Sequence, residues 1–433
     1  MDERIYHVPY GAGELAFRLL PGMRGHLVTS RPMPPLEDPE SAVREALAHP
    51  VASPRLRDLA RPGQRVCIVF TDVTRSSPDR ILVPPVLEEL QAAGVRDEDV
   101  TFLCGIGLHR PSTPEEKVAK LGAEVVRRYR VVDSEPLNPE ALVDLGTTPS
   151  GVPLSVNRTA YEADLLIATG IVEPHQYAGY SGGRKTLAVG AAGERMIAHT
   201  HCPRMMDHPG ARLGRIEGNP FHEAIAEAAR RAGLRFIINA VLDDEKRVVA
   251  VRAGEPEAAF QELVAIARQL YEVPIPQQYD VAIGGMGFPK DSNLYQASRG
   301  ASYLFFAPTP VVRPGGFLIV PARCQEGPGE GVGEQRFFRA LREAESPSAL
   351  VDKVRREGLQ PGEQRAYVMA CVLKEASVVI VGAESPEMVR QAKMIPAQTM
   401  EEALQLAAAK LGRELDVLIV PHALLTLPIV GGA

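Results

Sequence analysis

Eight short apolar runs rich in Val, Ile and Leu recur along this chain, and most are followed by a polar loop and then a helical pattern. They cover residues 65–70, 100–104, 164–168 and 235–240 in the first half, and 280–283, 316–320, 377–381 and 416–420 in the second. Runs of this length that are apolar throughout read as strands covered on both faces. Alternation with helical stretches such as 220–232 and 400–411 predicts α/β architecture with mainly parallel sheets.

At 433 residues the chain exceeds what one hydrophobic core supports, so two α/β domains with a cleft between them are expected. The Pro-rich stretch VPIPQQYD, residues 273–280, separates the two sets of strands and follows a helical stretch at 257–271. It divides the chain into an N-terminal domain, 1–272, and a C-terminal domain, 273–433, that closes the cleft. Polar stretches at 36–54, 132–153 and 325–333 read as long loops or lids. A formal net charge of −6 argues against nucleic acid or an anionic membrane as the main partner and leaves a small anionic substrate open. The N-terminal residues carry early acids and no apolar core of signal-peptide type, and no run is long enough to span a bilayer, so the cytoplasm is expected. Five scattered cysteines without a CxxC pair read as reduced thiols.

Ligands of parallel α/β sheets bind outside the carboxyl ends of the strands. Applied here, that rule brings four polar loops to one cleft: Asp72 and Arg75 after the first run, His109 and Arg110 after the second, residues 175–185 after the third, and 284–299 in the second half. Arg75 suits bidentate binding of a carboxylate or phosphate. His109 and His175, each just past a strand, can act as general bases from opposite faces of one substrate, the geometry of a two-base racemase or epimerase. Tyr295, Gln296 and Arg299 fall in the early turns of a helix after a second glycine-rich loop, a place suited to an anion.

The segment GYSGGRKT superficially resembles a nucleotide-triphosphate loop, but Arg184 stands where that motif requires Gly before the Lys. Gly182, Gly183 and Arg184 could still hold a single phosphate. Lys185 is the only Lys between Lys120 and Lys246 in a chain that otherwise prefers Arg, which hints at a reactive amine. Downstream, His199 and His201 in HTHC are two residues apart. On a helix they point about 200° apart, so at most one of them can face a given metal, and spacing does not choose between them.

Taken together, the TDVTR loop, the GLHRP loop, the long EPHQYAGYSGGRKT segment, His201 and the YQA helix start resemble the nickel-dependent lactate racemase family over most of the chain. The resemblance implies a nickel-pincer nucleotide, a pyridinium mononucleotide that holds nickel through a ring carbon and two sulfurs. It further implies Lys185 as the covalent tether, His201 as the protein ligand of nickel, and His109 and His175 as the acid/base pair. Asp72, Arg75 and the Gln296 region would line the cofactor and substrate site. The implied reaction is racemisation or epimerisation of a 2-hydroxy acid by proton-coupled hydride transfer through a 2-keto acid. Enzymes that build the cofactor are implied partners.

Two departures bear on the substrate. The chain has no Trp, where lactate-active members of the family carry one near the segment holding Arg365 and Tyr367, and Arg299 stands where a Lys is usual. An Arg at 365 would favour a second anionic group on the substrate, which puts lactate itself in question. The alternatives are a dehydrogenase or hydrolase with a dissociable nucleotide, and a non-catalytic carboxylate- or nucleotide-binding protein on the same scaffold.

Overall fold

The computed structural model describes residues 4–359 and 362–431. Strands form at all eight apolar runs: Val66–Thr71, Val100–Gly105, Leu165–Ile171, Leu234–Leu242, Tyr279–Gly284, Val312–Pro321, Ser377–Val381 and Asp416–Val420. They are gathered into two six-stranded sheets. The first runs Val248–Gly254, Leu234–Leu242, Leu165–Ile171, Val66–Thr71, Val100–Gly105, Arg130–Asp133, parallel except for Val248–Gly254. The second runs Ile395–Ala397, Ser377–Val381, Val312–Pro321, Tyr279–Gly284, Asp416–Val420, Arg24–Leu27, parallel throughout. Every residue of Leu165–Ile171 is buried, as a central parallel strand covered on both faces requires.

Both sheets reverse their winding. In the first, the chain steps outward from Val66–Thr71 to Val100–Gly105 and Arg130–Asp133, then returns to add Leu165–Ile171 on the other side of Val66–Thr71. The second does the same about Tyr279–Gly284, with Asp416–Val420 added on the far side. Such a reversal leaves adjacent loops diverging at the carboxyl ends of the strands, and a crevice opens between them. The crevices fall at Asp72 and Glu173 in the first sheet and at residues 285–293 in the second.

The sheets do not divide at the expected cut between residues 272 and 273. Arg24–Leu27 forms an edge strand of the second sheet, and the hairpin Tyr6–Tyr10/Gly13–Phe17 precedes it. Tyr6, Val8, Phe17, Leu19 and Met23 pack with Val281, Ile283, Phe317 and Ile419, each such burial contributing about 1.5–3 kcal/mol. A short edge strand from the start of the chain carries no local marker of which sheet it will join. Nor is 273–280 a free linker, because Glu272–Ile275 pairs with Leu427–Val430.

Two of the expected loops contain regular structure. Pro39–Ala48 is a helix, started by the Asp38 carboxylate accepting from Ser41 N and by Pro39 in the first turn, with Val43 and Leu47 on its buried face. Within 132–153, Leu142–Thr147 is a strand that pairs antiparallel with Pro153–Asn157.

The halves meet through an apolar core in which Tyr177, Met196, Ile197 and Phe221 join Leu294, Ala297, Tyr303 and Leu304. Asp207 adds a polar clasp across the seam, 2.9 Å from Arg355 Nε and 2.7 Å from the Tyr367 hydroxyl. Among the described residues no helix is long and apolar enough to cross a membrane.

Candidate active site

Asp72 follows Val66–Thr71 directly and is buried, while His109 follows Val100–Gly105 and is exposed. The chain turns toward Asp72 at Gly107, whose φ of +55° favours glycine and whose N–H donates to Gly190 O at 2.7 Å. His109 Nδ1 lies 2.6 Å from Asp72 Oδ2, and the Thr74 hydroxyl donates to Asp72 Oδ1 at 2.6 Å. Burial alone would raise the Asp72 pKa; the hydrogen bonds from His109 and Thr74 outweigh it and hold the carboxyl below its usual range. A carboxylate only accepts, so the neutral His109 ring carries its proton on Nδ1 and leaves the Nε2 lone pair free. The loop is anchored from below by Lys120, whose Nζ donates to Thr71 Oγ1, Arg75 O and Ser77 O and lies 2.8 Å from Asp79 Oδ2.

On the other side of Val66–Thr71, the strand Leu165–Ile171 leads to Glu173 and His175. Here the wiring is reversed. His175 Nδ1 accepts the backbone N–H groups of Tyr177 and Ala178 at 3.3 and 3.2 Å, which leaves the proton of the neutral ring on Nε2. Burial, then the nearby charges of Lys185 and Arg75, push the His175 pKa well below the ordinary histidine value. Its turn is closed by Gly179, with φ +76°, where a Cβ would come within 2.1 Å of Arg215 O.

The next turn, Gly183–Lys185, seats Lys185 in the same crevice. Burial, with Arg75 adding repulsion, pushes its amine down to about 7, and Glu173 and Asp72 oppose that shift. An ordinary lysine is kept from acting as a nucleophile at neutral pH by its charge, and a pKa near 7 leaves a substantial fraction of this amine uncharged. The neighbouring residues behave otherwise than the sequence suggests. A Cβ at Gly182 would meet Phe260 at 2.9 Å and one at Gly183 would meet Ala168 O at 3.1 Å, so these glycines let the turn pack against protein. Arg184 points away from the crevice, ion-paired to Glu257, with its guanidinium 3.9 Å from the centre of the Phe260 ring.

His201 follows the helix Glu194–Thr200, and it is His201 that joins the other site residues. Its ring meets Phe221 and Tyr177 edge-on at 5.1 and 5.6 Å, and the same two rings lie 6.2 and 6.0 Å from His175. His201 Nδ1 donates to Ile197 O at 2.9 Å, which frees the Nε2 lone pair, while burial pushes its pKa down to about 4. A neutral imidazole oriented by a carbonyl is the form in which histidine binds a transition metal. Among the described residues no three His, Cys, Asp or Glu side chains converge as a metal cluster. A metal bound here would therefore take most of its ligands from something other than protein.

The helix Leu294–Phe305 forms the opposite wall, capped by Asn293 Oδ1, which accepts from Gln296 N at 2.9 Å. Arg299 Nη2 donates to the Tyr303 hydroxyl at 2.9 Å and its Nη1 lies 3.4 Å from Gln296 Oε1. Arg365 Nη1 donates to Ser302 Oγ at 2.9 Å, and its guanidinium lies 5.7 Å from the centre of the Tyr295 ring. Tyr367 is turned away, to Asp207. Reading the strand ends missed Glu173, which burial holds toward the neutral form, and Lys290, whose pKa burial and Arg299 push down to about 8. Both sit in loops that the strand-end rule had already marked. Asn239, buried with both side-chain polar atoms unpartnered beneath Gly170 and Gly183, had no sequence signal because it lies inside an apolar strand.

Arg75, Lys185, Lys290 and Arg299 thus surround Glu173, and Asp72 is engaged by His109. The crevice is cationic in a protein whose net charge is −6, which draws small anions to it. A hollow of about 220 Å³ lined by Arg130, Asp133, Glu135 and Arg158 lies elsewhere, at the edge of the first sheet, and holds none of these groups.

The signature of a lactate racemase N-terminal domain matches residues 10–214, and that of a lactate racemase C-terminal domain matches residues 276–427. The chain is 32% identical to a lactate racemase of Thermoanaerobacterium thermosaccharolyticum over 422 residues, 96% of each protein. It is 33% identical to that of Lactiplantibacillus plantarum over 390 residues, 89% of this chain and 90% of the relative. The solved structure of the T. thermosaccharolyticum lactate racemase apoprotein superposes with a TM-score of 0.88 at 32% identity, covering 98% of this chain and all of the other. A Thermotoga maritima protein of solved structure, 20% identical with a TM-score of 0.67 over 91% of this chain and 99% of its own, shares the fold. The chain belongs to the lactate racemase family.

Proposed function

We propose that this protein racemises or epimerises a 2-hydroxy acid with a nickel-pincer nucleotide tethered to Lys185. The observation that carries the reading is the pairing of a buried amine, its pKa pushed down to about 7, with His201, whose Nε2 lone pair is free. Tether and metal ligand are both in the form that such a cofactor needs. The lack of a three-residue protein cluster among the described residues fits a group that brings its other nickel ligands with it. Held by Lys185 and by His201 at its nickel, the group would supply the hydride-accepting chemistry.

The chain's own residues supply the rest. His109 Nε2 takes the hydroxyl proton of the substrate and gives it back to the oxygen as the hydride returns to carbon, and the Asp72 carboxylate stabilises the imidazolium in between. His175 presents its Nε2–H to the substrate oxygen from the other side of the crevice. Arg75 and Arg299 hold the carboxylate and so fix the reacting carbon, and the packed seam around Tyr177 and Tyr303 excludes water from the keto acid. The enzymes that make and load the cofactor are the expected partners, in the cytoplasm.

Intact mass tests the reading. After co-expression with cofactor-making enzymes, the protein is expected to exceed its sequence mass by a nucleotide-sized adduct that Lys185→Ala lacks. An adduct retained by Lys185→Ala, or none in the parent, sinks it.

A further inference from the structure

We propose that the wall formed by Arg299, Ser302 and Arg365 selects a 2-hydroxy dicarboxylate, with Arg365 binding the carboxylate remote from the reacting carbon. The proposal rests on the racemase reading for the chemistry and on this wall alone for the substrate. Neither guanidinium has a carboxylate of the described residues within 4.0 Å, although the chain forms ion pairs in many other places. The Nε atoms of both, and Nε2 of Gln176 beside His175, are buried without a hydrogen-bond partner. Ser302 joins the Arg365 and Gln176 side chains: its hydroxyl receives Arg365 Nη1 at 2.9 Å and lies 3.5 Å from Gln176 Oε1, and it also lies 3.3 Å from the backbone carbonyl of Arg299. Enclosing a cation without a counter-charge costs several kcal/mol, and a bound anion offsets that cost.

The two arginines face different neighbours. Arg299 is held by Tyr303 and Gln296 and is among the charges that act on His175 and Glu173. Arg365 is held by Ser302 and stands over Tyr295 at the start of the same helix. Arg299 and Ser302 are three residues apart on one helix, a rise of about 4.5 Å, so Arg365, held at Ser302, is offset along the helix from Arg299 and can meet a second carboxylate. A 2-hydroxy monoacid anchored at Arg299 would leave Arg365 uncompensated. Glu173 does not fill the need, because it forms no ion pair with either arginine and burial holds it toward the neutral form.

The test compares malate, 2-hydroxyglutarate and lactate as substrates of the cofactor-loaded enzyme and of its Arg365→Gln and Arg365→Lys variants, with adduct mass and melting temperature measured alongside. Loss of a charged hydrogen bond is worth roughly 10- to 100-fold. The expected result is kcat/KM higher for a diacid than for lactate by that factor, the preference erased in Arg365→Gln and partly kept in Arg365→Lys, with the adduct retained. Preference for lactate, a proportional loss for all three acids, or loss of the adduct in Arg365→Gln overturns the proposal and leaves the racemase reading standing. If adduct-bearing protein racemises none of the acids, that reading fails instead. Calorimetry on the full chain then decides the substrate wall: malate binding that is tighter than lactate and weakened by Arg365→Gln supports it, and equal binding overturns it.

Discussion

His109 and His175 leave two strands that flank the same central strand, in the same position relative to each, yet they are wired oppositely. His109 gives its Nδ1 proton to a buried carboxylate and is 49% exposed. His175 takes two backbone N–H groups on its Nδ1 and is packed against Tyr177 and Phe221. A positive charge on His109 is welcomed by Asp72. On His175 it would set an N–H against two other N–H groups, in a site already ringed by Arg75, Lys185 and Arg299. The partner loop, and not the histidine's place after a strand, decides which ring is ready as a base and which as a hydrogen-bond donor.

Substitutions that keep or remove a donor separate the two rings. In cofactor-loaded enzyme, His109→Ala is expected to lower kcat by about 10²–10⁴-fold, and His109→Gln by as much, because an amide cannot accept and hold a proton. His175→Ala is expected to cost less, and His175→Gln to recover part of that loss, since the Gln amide still offers an N–H. Equal losses for Ala and Gln at position 175 would show that His175 also has to take up a proton, and would break the contrast.

Asp72 is the source of the contrast and the next largest effect. It touches neither substrate nor cofactor in this reading and acts by positioning His109. Asp72→Asn is expected to lower kcat roughly 10- to 100-fold with little change in KM. The neutral amide removes the counter-charge and can flip, donating to Nδ1 and moving the proton onto Nε2. A loss shared between kcat and KM, or one matched by a fall in melting temperature, would point to a merely structural role.

How far the sequence reaches follows the same physics. The eight apolar runs became strands because continuous Val, Ile and Leu stretches have one good way to be buried. The crevice was legible because strand ends are where backbone groups and polar loops collect. The wiring of the rings was not, since Tyr177 N–H, Ala178 N–H and Ile197 O are backbone atoms present in any sequence. Arg184 shows the converse error: adjacency to Lys185 suggested a phosphate ligand, but one residue along a tight turn reverses direction, and Glu257 with Phe260 claims the side chain. Arg24–Leu27 joined the second sheet through contacts hundreds of residues away, which no local pattern records.

The last contrast concerns Lys185, the buried amine in the same crevice as the two histidines. Its amine is pushed down to about 7 in the folded chain, against about 10.4 for a lysine in an unfolded one. Between those values the unfolded state binds more protons, so the Lys185 contribution to the stability of the unloaded protein rises with pH across that window and is flat below it. Lys185→Met should remove this slope while leaving the remaining pH dependence in place. In the parent, acylation of Lys185 followed by peptide mass analysis should reach half its maximal rate near pH 7, while ordinary lysines react only at much higher pH. A Lys185 profile that matches theirs would show an amine that stays charged in the crevice, and the tether would then need a partner to deprotonate it, with Glu173 the nearest group to examine.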